Sequence, residues 1–224
     1  VVLGRLHLEV VGVVRPSRLH VQVGRPHHRI CLPRRPDYNS DMANLQGQFL
    51  IASPHLSDPN FYKSVVLMIK HDDEGAFGLI LNRPMANTVR EIWRAVTDQE
   101  LECDQPLYMG GPVKGPLICL HRIKSCAEAE VFKGVYFSAH KEQLLKVVSH
   151  TAKPFRLFAG YAGWAGGQLE GELHVGGWLS LPATKDLIFQ DSDTLWDQVV
   201  RTIGDEILSP AIKTKHVPQD PSLN

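Results

Sequence analysis

Two apolar runs rich in β-branched residues, 64–70 (SVVLMIK) and 76–82 (AFGLILN), flank the polar string His71-Asp72-Asp73-Glu74-Gly75. Each run is too short for a stable helix and is bounded by turn-forming residues. The pair therefore predicts adjacent strands joined by a hairpin loop, with the three acids solvated. Gly78 inside the second run predicts a bulge or a close backbone approach, and Arg83-Pro84 ends the run.

Short runs of the same kind predict strands at 48–52, 107–109, 117–121, 134–138, 155–159, 177–181 and 187–190. Helical signals are fewer. Thr88-x-x-Glu91 is a capping box ahead of a helix to about Leu101, with Val89, Ile92, Trp93 and Val96 on one face. Residues 141–152 place Leu144, Leu145 and Val148 on an inner face, 168–174 open as a helix after a glycine-rich loop at 160–167, and 193–204 form the last helix through Leu195, Val199, Val200 and Ile203. Hairpins early and helical crossovers later predict the α/β (α+β) class, a single domain with a mixed β-sheet packed by helices. Its expected span is 42–210, with 211–224 as a polar C-terminal tail.

The chain is neutral as a whole, but the balance hides two unlike parts. Residues 1–41 hold seven Arg and three acids, whereas the remainder holds seventeen bases and twenty-one acids. The first part, rich in Arg, Pro and His without period, is expected to be a disordered extension. A start site at Met42, an Arg-rich targeting segment and a phosphate-binding arm are three further accounts of it. A mildly acidic body argues against direct nucleic-acid binding. No apolar run approaches the ~20 residues of a membrane-spanning helix. Cys31, Cys103, Cys119 and Cys126 show no C-x-x-C spacing and predict reduced thiols in a cytoplasmic protein; the alternative is a reactive thiol at Cys103 or Cys126, both in polar surroundings.

Four blocks in order resemble the AlgH/YqgE family. They are Gly47-x-Phe49-Leu50-Ile51-Ala52-Ser53-Pro54 with Asp58-Pro59-x-Phe61 and Ser64-Val65-Val66; His71 with Gly75-Ala76-x-Gly78-Leu79-Ile80-Leu81-Asn82-Arg83-Pro84; Gly110-Gly111-Pro112-Val113 with Leu120-His121; and Gly160-Tyr161-Ala162-Gly163-Trp164 with Gly167-Gln168-Leu169-Glu170 and Glu172-Leu173. Trp178 and Phe189 complete the set, which covers nearly all of 45–204. Ala165-Gly166 and Gly176-Gly177 depart from the pattern. The resemblance implies one α/β domain on a mixed sheet, and brings a provisional label as a regulator of transcription. It implies no catalytic residue and no cofactor.

Three polar or glycine-rich blocks at strand ends are the candidate ligand site. Asn82, Arg83 and Pro84 would supply a guanidinium fork for a carboxylate or phosphate. Gly110, Gly111 and Pro112 would form a backbone nest for an anion, or a tight turn alone. Tyr161, Gly163, Trp164 and Gln168 would offer stacking rings beside a helix N-terminus, or glycines for close packing and a core Trp. His71 and His121 are acid–base candidates, or hydrogen-bonded structural histidines; a metal would need a third ligand such as His55 or Asp58. The expectation is a non-catalytic protein that binds a small anionic or aromatic ligand or a protein partner. The alternative is a hydrolase that uses His71 or His121 with Arg83 as an anion clamp.

Overall fold

The computed structural model describes residues 44–54, 56, 58–97, 100–149, 154–190 and 193–213, with side chains at 96–97 and beyond 204 excluded. The expectations for residues 1–41 and 214–224, and those for His55, Cys31 and Val96, lie outside that set.

The first predicted strand forms as β1 (Gln48–Ala52), and the predicted hairpin forms as β2 (Val65–Asp72) and β3 (Gly75–Ile80). The loop is shorter than expected. Asp72 pairs with Gly75, and the Asp72 side chain accepts the Glu74 N–H at 3.0 Å, so only Asp73 and Glu74 make the turn. Gly78 is the predicted close approach, since a Cβ there would fall 2.6 Å from Val66 Cγ1 and 2.7 Å from the Leu67 carbonyl.

β4 (Pro84–Thr88), absent from the sequence reading, runs into α1 (Val89–Thr97). The capping box forms in both directions, with the Glu91 N–H donating to Thr88 Oγ1 at 3.3 Å and the Thr88 N–H to Glu91 Oε2 at 3.0 Å. β5 (Pro106–Met109), β6 (Val113–His121), β7 (Ala129–Phe132) and β8 (Val135–Ser138) follow, then α2 (Lys141–Val148). β9 (Phe155–Ala165) is twice as long as predicted, because the glycine stretch from 160 onward is strand and not loop. α3 (Gln168–His174) and β10 (Trp178–Pro182) fall where expected.

Two corrections concern the end of the chain. The predicted strand at 187–190 is a helix, α4 (Lys185–Phe189), whose first turn is capped by Thr184 Oγ1 accepting the Leu187 N–H at 3.4 Å. The final helix, α5 (Leu195–Lys213), runs past Pro210, so 211–213 belong to it rather than to a tail.

The sheet order is β10-β1-β2-β3-β9-β6-β8-β7, antiparallel at every step. β5 adds the one parallel pairing among the described residues, against β9, and carries β4 on its other side. The fold is thus α+β, and the expected mixed sheet is a predominantly antiparallel one. The sheet curls so that β7 and β8 return to the β1–β3 side. Gln46 Nε2 donates to the Glu130 and Val131 carbonyls of β7 at 3.3 and 3.1 Å, and Phe77 of β3 meets Phe137 of β8 with ring centroids 5.7 Å apart.

Strand alternation then fills both faces. Inside the curl, Phe49, Ile51, Leu67, Leu79, Leu120 and Phe158 pack with Ile188 of α4 and Leu195 and Val199 of α5. Outside, α1 and α2 cover Leu117, Cys119 and Leu157, while α3 covers Leu50, Val66, Met68 and Ile80. Cys126 is buried in the α1–α2 cluster, which corrects the expectation of polar surroundings for it.

Close approach makes glycine obligatory at Gly110, where a Cβ would fall 2.2 Å from the Gly160 carbonyl oxygen. Gly110→Ala is expected to lose several kcal/mol of stability, on the order of 3 or more. Gly171→Ala in α3, where a Cβ meets nothing within 4 Å, is expected to gain up to about 1 kcal/mol. Urea unfolding of the two variants checks the opposite signs.

Candidate recognition site

β9 serves two neighbours along one side. β3 pairs with its second half, Gly75–Gly78 against Ala165–Ala162, and β5 pairs in parallel with Phe158 and Ala159. Gly110 bridges the fork between β3 and β5, accepting the Ile80 N–H at 2.8 Å and donating its own N–H to the Ala159 carbonyl at 2.9 Å. The Met109 N–H donates to the Arg83 carbonyl at 2.9 Å. The first two sequence blocks therefore meet at one corner.

Asn82 and Arg83 hold the loop before β2 against that corner. Asn82 Oδ1 accepts the Val65 N–H at 2.9 Å and Asn82 Nδ2 donates to the Lys63 carbonyl at 2.8 Å, while Arg83 Nη2 donates to the Tyr62 carbonyl. The loop is strained. Lys63 sits at φ 51°, a left-handed conformation that costs a non-glycine residue on the order of 1 kcal/mol or more. The buried Ser64 Oγ has no hydrogen-bond partner among the described residues. The Asn82 and Arg83 bonds keep this conformation in place and present Tyr62 to solvent at 58% exposure. Lys63 Nζ lies 5.2 Å from the Trp196 ring and 5.8 Å from the Tyr62 ring, within cation–π range. Met109, whose N–H donates to the Arg83 carbonyl, and Met85, two residues after Arg83, are 41% and 36% exposed.

The third block does not join the corner through its side chains. Gly111 abuts the Tyr161–Ala162 peptide, but the Tyr161 ring lies on the inner side of the curl over Gly115 and Gly163, edge-on to Phe77 at 5.8 Å. Trp164, three residues and about 10 Å further along β9 from Tyr161, is buried. It stacks on Phe61 at 5.9 Å, and its Nε1 donates to Glu172 Oε2 at 3.0 Å, the same oxygen that accepts Trp178 Nε1 at 2.8 Å. Gln168 Oε1 accepts the Ala165 N–H and its Nε2 donates to Glu172 Oε1. Trp164 and Gln168 thus spend their ring face and polar atoms on neighbours within the fold, and Tyr161 faces the inner side of the curl.

Neither histidine has a nitrogen to spare. His71 Nδ1 accepts the Leu45 N–H at 3.2 Å, which places the proton of the neutral ring on Nε2, 2.9 Å from Glu170 Oε1. It closes the end of β2 opposite Val65, six residues or about 20 Å from the residue that Asn82 holds. His121 is wholly buried; its Nδ1 accepts the Ile123 N–H at 3.2 Å, and its Nε2–H donates at 2.9 Å to Ser138 Oγ, which donates to the Cys126 carbonyl at 2.6 Å. Burial holds the His121 pKa down to about 4. Both rings are thus hydrogen-bonded at each nitrogen within the fold, as structural histidines are. Among the described residues no three His, Cys, Asp or Glu side chains are placed to hold a metal.

Three residues that matter here escaped the sequence reading. Tyr62 and Lys63 sat unremarked between turn and strand. Arg156, the one charge in the run FRLFA, is buried, donates to the Leu81 and Gln190 carbonyls, and lies 4.6 Å from the Tyr108 ring. A lone cation inside an apolar strand was the signal available for it.

The AlgH-like family model, a domain family without an assigned activity, matches residues 49–208. The chain is 37% identical over 185 residues to a UPF0301 protein of Chlorobaculum tepidum, covering 80% of this chain and 95% of that protein. It is 34% identical to a UPF0301 protein of Thermobifida fusca, covering 82% and 98%. Among solved structures it is similar to the AlgH protein of Pseudomonas aeruginosa, with a TM-score of 0.63 at 28% identity over 80% of this chain and 98% of that one. A protein of Corynebacterium diphtheriae, DIP2367, gives a TM-score of 0.56 at 26% identity, covering 70% and 85%. The chain belongs to the AlgH-like family. No helix among the described residues is long and apolar enough to cross a membrane.

The His121 environment sets a pH dependence. The unfolded chain takes up a proton near pH 6.5 and the folded chain only near 4, so stability is full above 6.5 and is lost as pH falls from 6.5 to 4. That loss is on the order of 3 kcal/mol from this site. Urea unfolding between pH 7 and 4.5 is expected to show a shallower decline for His121→Gln than for the parent chain.

Proposed function

We propose that the domain is a non-catalytic binding protein whose recognition surface is the corner built by Tyr62, Lys63, Arg83 and Met109. One observation carries this reading. Three of the five large apolar side chains exposed among the described residues belong to residues next to Arg83 along the backbone: Tyr62, whose carbonyl Arg83 holds, Met109, whose N–H donates to the Arg83 carbonyl, and Met85, two residues on. Exposed apolar groups beside fixed cations mark a surface meant to be covered. The chemistry it fits is an anion attached to an apolar body. A regulatory role is compatible with this surface through a bound ligand or a protein, whereas the acidic balance of residues 42–224 disfavours direct contact with nucleic acid.

The dye bis-ANS, two sulfonates on fused rings, has the required chemistry. It is expected to bind the native chain, and Lys63→Glu combined with Met109→Asp to weaken binding by about tenfold (~1.4 kcal/mol) with the Tm unchanged. Dye affinity unaffected by this pair of substitutions would contradict the reading.

A further inference from the structure

The geometry points to the partner of this corner, resting on the reading just given: an extended, acidic and apolar segment of another protein, laid along the free edge of β4. Small-molecule sites are concave and enclose most of the ligand. Here the apolar groups stand out from the surface, Tyr62 at 58%, Met109 at 41% and Met85 at 36% exposure. Such groups gain most from a partner that covers them from above. Tyr, Met and Arg are also residue types enriched at protein interfaces, and methionine adapts its shape to what it meets.

β4 adds the second argument. It pairs with β5 alone among the described residues, in register at Pro84 and Thr88 with a bulge between them, so the free donors and acceptors are those of Met85 to Asn87, and Pro84 to Asn87 are exposed throughout. An unpaired strand edge is a row of backbone donors and acceptors that an extended chain can complete and a small anion cannot. Of the two ends of the sheet, β7 already has two carbonyls taken by Gln46, and β10, which also pairs on one side only, holds Leu179 with Val175 before it and neither Met nor Arg.

Charge complementarity sets the composition of the partner. Arg83 opens β4 and Lys63 stands beside it on the loop that Arg83 ties down. Carboxylates of the docked segment would face these two cations, and its alternate apolar side chains would cover Met85, Met109 and Tyr62.

Selection of the full chain against a random dodecapeptide phage library tests this without a known partner. The expected result is enrichment of peptides in which Asp or Glu alternates with Leu, Ile, Phe or Met. A synthetic peptide of that consensus should shift the amide resonances of residues 62–63 and 83–88. Its affinity should fall by at least about tenfold in Lys63→Glu/Arg83→Glu. Because Arg83 also holds the loop, Met85→Asp with Lys63→Glu is the paired control; it leaves that bond intact and should lose affinity comparably. Enrichment of basic or neutral peptides, or binding that both variants retain, overturns the proposal. If no peptide is enriched while bis-ANS still binds in a Lys63- and Met109-dependent way, the corner takes a small ligand and the peptide inference fails alone.

Discussion

The structure depends on one crossing, where the backbone of Gly110-Gly111 lies directly on the backbone of β9 at Gly160–Ala162. No side chain fits between them. That contact lets a parallel strand enter an otherwise antiparallel sheet partway along its longest member. It also forces β3 and β5 apart beyond Ile80, and the fork so created sets the position of Arg83, Met109 and the loop they hold. The glycines act here through geometry, as spacers for main chain, and no anion is needed to account for them.

Buried polar groups are settled locally on either side of this crossing. Glu172 takes two indole N–H groups and the Gln168 amide, Glu170 takes His71, and Ser138 takes His121. Each of these groups taken from water finds a partner, which offsets the cost of its burial. Glu170, Glu172, His71 and His121 are spent on holding α3 and β6 in place.

Most of the strand pattern was legible because the central strands are short, β-branched and bracketed by turns, as in residues 64–82. The capping box marked α1 by a local hydrogen-bond exchange that needs no tertiary information. The second half of β9 was not legible, because glycine, the residue that signals a loop locally, is required there by strands crossing it from elsewhere in the chain. The stretch at 187–190 failed for a related reason: four largely apolar residues fit strand or helix equally, and the Thr184 cap decides. In the candidate site, the fold brings Asn82-Arg83-Pro84 and Gly110-Gly111 to one corner. Trp164 was indistinguishable from a stacking platform until Phe61, Trp178 and Glu172 were seen to occupy its faces and its N–H.

Native-state hydrogen exchange at the crossing tests the central claim most directly. If Gly110 is the bridge between β3 and β9, the amides of Ile80 and Gly110 exchange only through global unfolding and share one free energy with the buried amides of β9. Exchange of these two amides at rates typical of exposed loops, with β9 still protected, would contradict the account.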